Sequence, residues 1–508
     1  MKRSIVLSAL VLAGLGVVNA QQNTQDPVRV KYAQTITQEE LKEDLSIIAS
    51  DALEGRGTGE RGQKMAAAFI KQSFKENGLT GPVNGGYYQD VPLKAVKAGE
   101  MYIKTNGKSF KSGSDFLYSG TSNSTNEIIE DVVFAGTGSK KELAALDVEG
   151  KAVLIIQSDR RKRQFTSAAI KEQGAKALFA VPSASQDDFE KLAKRYAAYA
   201  KRERLSVDFG DKPQDGIGTF TISPDLAASI LNTSFDNLVK KISKAETKPS
   251  ILKKVKSGNV AYKLDFISRK VESENVLGFI EGTDLKNELI ILTAHYDHIG
   301  ISSDGQINNG ADDDGSGVVA VLEMAEAFAQ AKVDGNGPRR SILFMTVTGE
   351  EKGLLGSSYY AANPVFSLDN TVANLNIDMI GRAGERNYER RDYIYLIGAD
   401  KISQELHDIS DEANKTYINM HLDYTYNDEG HPQRYYYRSD HWNFAKNGIP
   451  VIFYFNGVHA DYHKPTDTIE KIEFDLLQKR AQLVFYTAWE LANKDKRLVI
   501  DEVTSDKN

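Results

Sequence analysis

Five acid- and histidine-bearing pieces, each placed where an apolar run ends or a helix begins, constrain this chain more than any other feature. The run Leu289-Ile290-Ile291-Leu292 leads into His295-Tyr296-Asp297-His298. Asp312-Asp313-Asp314-Gly315-Ser316-Gly317, Gly349-Glu350-Glu351, Asn376-Ile377-Asp378-Met379 and Asp461-Tyr462-His463 follow in order. Strand candidates span 275–280, 288–294, 340–346, 372–378, 393–397 and 449–455, and helix candidates span 316–331, 401–414 and 474–493. Apolar runs without polar alternation read as strands buried on both faces. The alternation predicts an α/β fold, three layers with a mostly parallel central sheet. In such sheets sites gather at the carboxyl ends of strands, where these pieces stand.

Carboxylate oxygen and imidazole nitrogen hold hard and borderline metals. Two ions sharing one carboxylate need about five protein ligands, and the pieces supply that number. His295 and Asp297 are two apart, so on an extended segment they face one way. His295 is then a ligand candidate, with Asp297 orienting its second ring nitrogen. Asp312, Asp313 and Asp314 exceed what a helix N-cap needs and would repel one another, unless one bridges two cations. Glu350 and Glu351 are adjacent and point apart, so one can bind metal while the other faces water as a general base. Asp378 ends an apolar strand, where an uncompensated carboxylate is costly. His463 follows another strand, and the Tyr462 hydroxyl is a donor for a developing oxyanion. His298, His407, His421, His431, His441 and His459 are not read as ligands. Arg382 and Tyr435-Tyr436-Tyr437-Arg438 are candidates for a substrate cleft.

The rest of the chain has other work, since all 8 histidines fall between His295 and His463. Residues 1–20 read as a secretory signal peptide: Lys2 and Arg3, an apolar stretch, then Val18-Asn19-Ala20 at a cleavage site. The expectation is an exported chain, periplasmic or extracellular, with no stable membrane insertion after cleavage. There is no cysteine, so stability rests on the core. The net charge of -7 argues against nucleic acid as a partner. Arg160-Arg161-Lys162-Arg163 is the one strong basic run and reads as a solvated loop. Residues 36–80 look helical, with a second helix over 63–77. Residues 106–255 alternate short strands (128–134, 152–157, 177–181) with a helix over 166–173 and carry no reactive constellation.

The series His295-x-Asp297, Gly310-Ala311-Asp312-Asp313-Asp314-Gly315-Ser316-Gly317, Gly349-Glu350-Glu351, Asn376-Ile377-Asp378-Met379 and Tyr462-His463-x-x-x-Asp467 resembles the co-catalytic di-zinc exopeptidases, which include bacterial leucyl aminopeptidases and glutamate carboxypeptidase II. The resemblance implies a phosphorylase/hydrolase-like sandwich. It implies two zinc ions per chain: His295 and Asp378 on one, Glu351 and His463 on the other, Asp313 between them. Glu350 would be the general base, Asp297 would support His295, and a cis peptide would fall at Asp313-Asp314. Asp51-Ala52-Leu53-Glu54-Gly55-Arg56-Gly57 resembles the helical start of the same domain. Leu146-Asp147-Val148-Glu149-Gly150-Lys151-Ala152-Val153-Leu154 with Gly174-Ala175-Lys176-Ala177 resembles a protease-associated insert. The expected organisation is 1–20 signal peptide, 21–105 and 256–500 catalytic domain, and 106–255 insert. The expected activity is cleavage of the N-terminal bond of peptide substrates. A carboxypeptidase, a one-zinc glutaminyl cyclase and a receptor-like relative without chemistry are the alternatives; the last would lack metal ligands that this chain keeps.

Overall fold

The computed structural model describes residues 25–120, 124–200, 202–210, 217–385 and 390–501. The expected signal peptide, 1–20, lies outside them. The chain packs as two compact units. One comprises 1–89, 275–350 and 360–508; the other comprises 90–274 with 351–359.

The first unit opens with helices α1 (Pro27–Ala33), α2 (Gln38–Ile48) and α3 (Arg61–Glu76). Thr37 caps α2 by accepting the Glu40 N–H, one of the donors a helix start leaves open. Leu41, Leu45 and Ile48 of α2 face inward at helical spacing.

The second unit is bounded by two long strands, β1 (Tyr88–Thr105) and β6 (Gly258–Ile280); 88–105 and 258–274 are half-exposed and gave no apolar run to read, while the buried end of β6 is the strand expected over 275–280. The unit is therefore wider than 106–255 at both ends. Between them lie β2 (Ser124–Phe134), β3 (Ala152–Ile156), α4 (Arg160–Glu172), β4 (Ala177–Val181), α5 (Gln186–Ala200) and β5 (Gly218–Ile222). β2, β3, β4 and β5 pair in parallel, and β6 joins β2 antiparallel. The basic run 160–163 is the first turn of α4, not a loop. Asp159 accepts the N–H groups of Arg161 and Lys162 and so draws the run into the helix.

The first unit resumes with β7 (Leu285–His295), α6 (Gly317–Val333), β8 (Arg340–Val347), β9 (Thr371–Ile377), β10 (Tyr393–Ile397), α7 (Gln404–Ala413), β11 (His421–Asp423), β12 (Val451–Phe455) and α8 (Phe474–Asn493). α7 starts three residues later than its sequence pattern suggested, because Ser403 caps it. Its sheet runs β11-β10-β12-β9-β7-β8-β6. The inner pairs β12-β9, β9-β7 and β7-β8 are parallel, while β10-β12 and β8-β6 are antiparallel. Ile290, Leu292, Ile342 and Phe344 face α2, α6 and α8. Leu289, Ile291, Leu343 and Met345 face Tyr360 and Phe444. This period-two division gives the expected layers on both faces of a largely parallel sheet. Among the described residues no helix is long and apolar enough to cross a membrane.

Candidate metal centre

β7 ends on His295 and β9 ends one residue before Asp378, on neighbouring parallel strands paired Thr293 to Asn376. Both side chains thus emerge at the same edge. A relay fixes the second: Thr293 Oγ1 donates to Asn376 (2.6 Å), Asn376 Nδ2 to Ser439 Oγ (2.9 Å), and Ser439 Oγ to Asp378 Oδ2 (2.6 Å). His295 Nε2 stands 3.3 Å from Asp313 Oδ1, 3.7 Å from Asp378 Oδ1 and 3.9 Å from Glu350 Oε2.

Asp297 acts differently from the expectation. The atom that meets His295 Nδ1 is its main-chain carbonyl, at 3.0 Å; its carboxylate is 3.9 Å away. The chain turns after β7, and the Asp297 carboxylate accepts instead from Thr58 Oγ1 (2.6 Å) and the Glu350 N–H (3.1 Å). It therefore ties the end of β7 to the segment after β8.

The three aspartates divide their work. Asp312 accepts from Gly381 N–H (2.6 Å) and Ser316 Oγ (2.9 Å) and faces His459 Nε2 (3.1 Å). Asp314 accepts from the N–H groups of His295, Gly317 and Met379. Asp313 is the one of the three that turns to His295, His298 and His463: its Oδ2 lies 3.2 Å from His463 Nε2 and 3.8 Å from His298 Nδ1. The Asp313-Asp314 peptide is cis, as the resemblance implied. Asp467 accepts the N–H groups of Asp312 and Asp313, both at 3.1 Å. Gly310 precedes them at φ 59°, where a Cβ would stand 2.3 Å from the Asp313 carbonyl and 2.6 Å from the His298 ring. Only glycine fits that backbone.

Two ligand sets converge among the described residues: His295, Asp313 and Asp378, and His298, Asp313 and Glu351, each with donor atoms within 4.8 Å of one another. Asp313 belongs to both. Nitrogen and oxygen donors without thiolate suit zinc. His463 joins at Asp313 and stacks on Tyr462 with centroids 3.8 Å apart. Side-chain exposure rises from 1% at His295 and 4% at Asp313 to 11% at Asp378, 12% at Glu350 and 37% at His463, so the centre opens on the His463 side.

Sequence reasoning passed over His298, which is buried beside Asp313. It also missed Arg56. That buried guanidinium donates to the carbonyls of Ile48, Tyr296, Asn309 and Gly310, bracing both segments that carry the ligands. Its one signal was Gly55-Arg56-Gly57, which shows no chemistry by itself. Arg382 donates to Asp461 at 2.8 Å, and Arg391 pairs with Glu473 at 2.7 Å. Arg434 lies over Tyr437 and Arg438 over Tyr435, both 4.6 Å from the ring centroid.

Charge and burial compete here. Burial alone would push the His295 pKa down, but Glu350, Asp313 and Asp378 outweigh it and hold it well above its ordinary value. Burial would push Asp313 up, yet His295, His298 and His463 pull it well below the usual carboxylate range. Asp314 is pushed well up by burial. Burial also raises Asp467 to about 6, reinforced by Asp312. A metal entering this centre displaces protons from its imidazoles, so loading is pH-dependent.

Residues 275–488 match the model of Peptidase family M28. The chain is 30% identical over 233 residues to aminopeptidase YwaD of Bacillus subtilis, covering 44% of this chain and 46% of that protein. It is 31% identical over 236 residues to a probable leucine aminopeptidase of Arthroderma otae, covering 45% and 61%. The chain thus spans about half the length of the curated relatives it matches. The aminopeptidase from Aneurinibacillus sp. strain AM-1 superposes with a TM-score of 0.52 over 94% of this chain and 98% of that one, at 20% identity, which shows a shared fold.

Proposed function

We propose, from the match of residues 275–488 to the model of Peptidase family M28, that this chain is a di-zinc aminopeptidase of that family. The observation that carries this is Asp313, whose carboxylate stands between two converging sets of imidazole and carboxylate donors. In this reading His295 and Asp378 hold one zinc, Glu351 and His463 the other, and Asp313 both. The relatives' names, aminopeptidase and probable leucine aminopeptidase, support the class of reaction.

Zinc bound there would polarise the scissile carbonyl and lower the pKa of a water toward about 7. The protein supplies the rest. Glu350, held by its N–H on Asp297, takes the proton of the attacking water and returns it to the leaving amine. Tyr462, whose ring stacks on His463, is the donor to the oxyanion in this reading. The acidic surplus of Glu350, Asp378 and Asp313 favours a cationic group, and every peptide offers a free α-amine. Arg382, Arg386, Arg390, Arg391, Arg434 and Arg438 are the candidates for a C-terminal carboxylate in the carboxypeptidase alternative; of these Arg382 and Arg391 are engaged with Asp461 and Glu473. Arg386 lies outside the described residues.

We further read 1–20 as an export signal, placing the mature enzyme in the periplasm or outside the cell, and the second unit as a protease-associated insert. The test is mass spectrometry of digested peptides. One N-terminal residue should be released at a time, and acetylating the α-amine should block cleavage. Trimming of acetylated peptides from the C-terminal end would establish a carboxypeptidase instead.

A further inference from the structure

The ligands assigned to zinc differ in what holds them. His295 ends β7, Asp378 follows β9 by one residue, and the Asp313 N–H is fixed on Asp467. His463 instead stands on 456–468, a segment without helix or strand, and it is the exposed one of the five. It also carries a φ of 56°, which a residue with a side chain seldom adopts. A segment of this kind loses conformational freedom when it is fixed, and that cost weakens metal binding unless other contacts hold it beforehand. Those contacts converge on Asp461, two residues before His463. Its Oδ1 accepts from Thr466 Oγ1 and Lys471 Nζ, both at 2.6 Å, and its Oδ2 accepts from Arg382 Nη1 at 2.8 Å. Arg382 Nη1 also reaches His459 Nδ1 at 3.3 Å, as does the Asp461 N–H. Both neighbours of that nitrogen are donors, so it accepts, and Nε2 turns its proton to Asp312 at 3.1 Å.

Arg382 is itself anchored. It stands four residues after Asp378, its N–H donates to Asn456 Oδ1 (2.9 Å), and its carbonyl accepts from the buried Arg480 guanidinium (2.6 Å). The side chains of Arg382 and Asp461 are 16% and 15% exposed, and a pair so placed is screened less than one at the surface. We propose that Arg382 is a positioning residue for the metal centre: by gripping Asp461 and His459 it holds the 456–468 segment so that His463 meets the second zinc, the one shared with Glu351, already oriented. This inference rests on the di-zinc reading above. It gives Arg382 a task other than capture of a substrate carboxylate, and it joins Asp378 and His463, ligands of different ions, through one guanidinium. The two sites should therefore respond unequally when the latch is cut, because His295 and Asp378 are placed by the sheet and His463 is not.

The experiment dialyses the full chain against a series of chelator-buffered zinc concentrations and counts bound zinc by atomic emission, with circular dichroism reporting the fold. The unaltered chain should bind two zinc ions. Arg382→Gln and Asp461→Asn should each keep the first and weaken the second by about 10- to 100-fold, the range for a group that orients a metal ligand. Arg382→Lys, which keeps the charge, should recover most of that loss. The double variant Arg382→Gln with Asp461→Asn should be no weaker than either single one, because the two residues act as one contact. Lys471→Gln, at an exposed position, should weaken the second zinc several-fold and keeps the test open if the other replacements misfold. Unchanged affinity for the second zinc in folded variants, or equal loss of both ions, overturns the latch, while a count of two in the unaltered chain leaves the di-zinc reading standing. A count below two in the unaltered chain at saturating zinc overturns that reading, and the latch with it.

Discussion

Glu350 and Glu351 are neighbours in sequence, yet they join different sets. Glu350 Oε2 faces His295 at 3.9 Å, while Glu351 converges with His298 and Asp313. The roles should separate under mutation. Glu350→Gln is expected to keep both zinc ions and lose turnover by at least about 10²-fold, the range for a general base. Glu351→Ala is expected to lower zinc content toward one per chain. Metal analysis beside kcat decides it, and the opposite pattern would mean the two glutamates exchange roles. Gly310 offers a second residue-scale test. Gly310→Ala puts a methyl group into the Asp313 carbonyl and the His298 ring at a positive φ. Overpacking and backbone strain together should cost about 2–4 kcal/mol, read by urea unfolding, with loss of zinc even where the chain still folds.

At the scale of elements, the α2–α6 contact makes stability depend on pH. Burial first, then Glu40, Asp44, Glu326 and Glu43, raise Glu323 from 4.5 to about 9. The folded state therefore holds a proton that the unfolded chain releases above about pH 4.5. Its contribution is fully present below that value and is lost as pH rises through about 9. Unfolding free energy should decline from pH 5 to pH 9, and Glu323→Gln should flatten the decline and gain at least about 1 kcal/mol at pH 9. An unchanged slope in the variant would show that other groups set it. The strands needed no such device. β7, β8 and β9 are apolar on both faces because helices and loops cover both, and that uniform burial made them readable as runs.

For the whole molecule, residues 90–274 carry no convergent ligand set among the described residues, and Phe116, Val132, Leu154, Phe179 and Phe220 form a core there. Replacing 183–188, at the turn into α5, should leave two zinc ions bound and alter mainly the handling of longer peptides. Zinc analysis and a peptide-length series check this; zinc loss from a folded variant would contradict it. The same preparation should lose activity on chelation and regain it with added zinc.

Apolar run length and the acids at the ends of those runs indicated a largely parallel sheet and picked out His295, the run Asp312-Asp313-Asp314, the pair Glu350-Glu351, Asp378 and His463; Asp313 as the shared ligand and Glu350 as the base were implied by the resemblance. Those signals are local: burial on both faces writes itself into consecutive residues, and ligands must sit where strands stop. Only the tertiary structure decided which of three adjacent aspartates faces His295, His298 and His463. That choice depends on Gly381, Ser316, Met379 and His459, which claim Asp312 and Asp314 from distant parts of the chain. It likewise revealed the Asp297 carbonyl behind His295, the burial of His298 and the bracing by Arg56, because a hydrogen bond spanning 240 residues leaves no periodicity in the sequence.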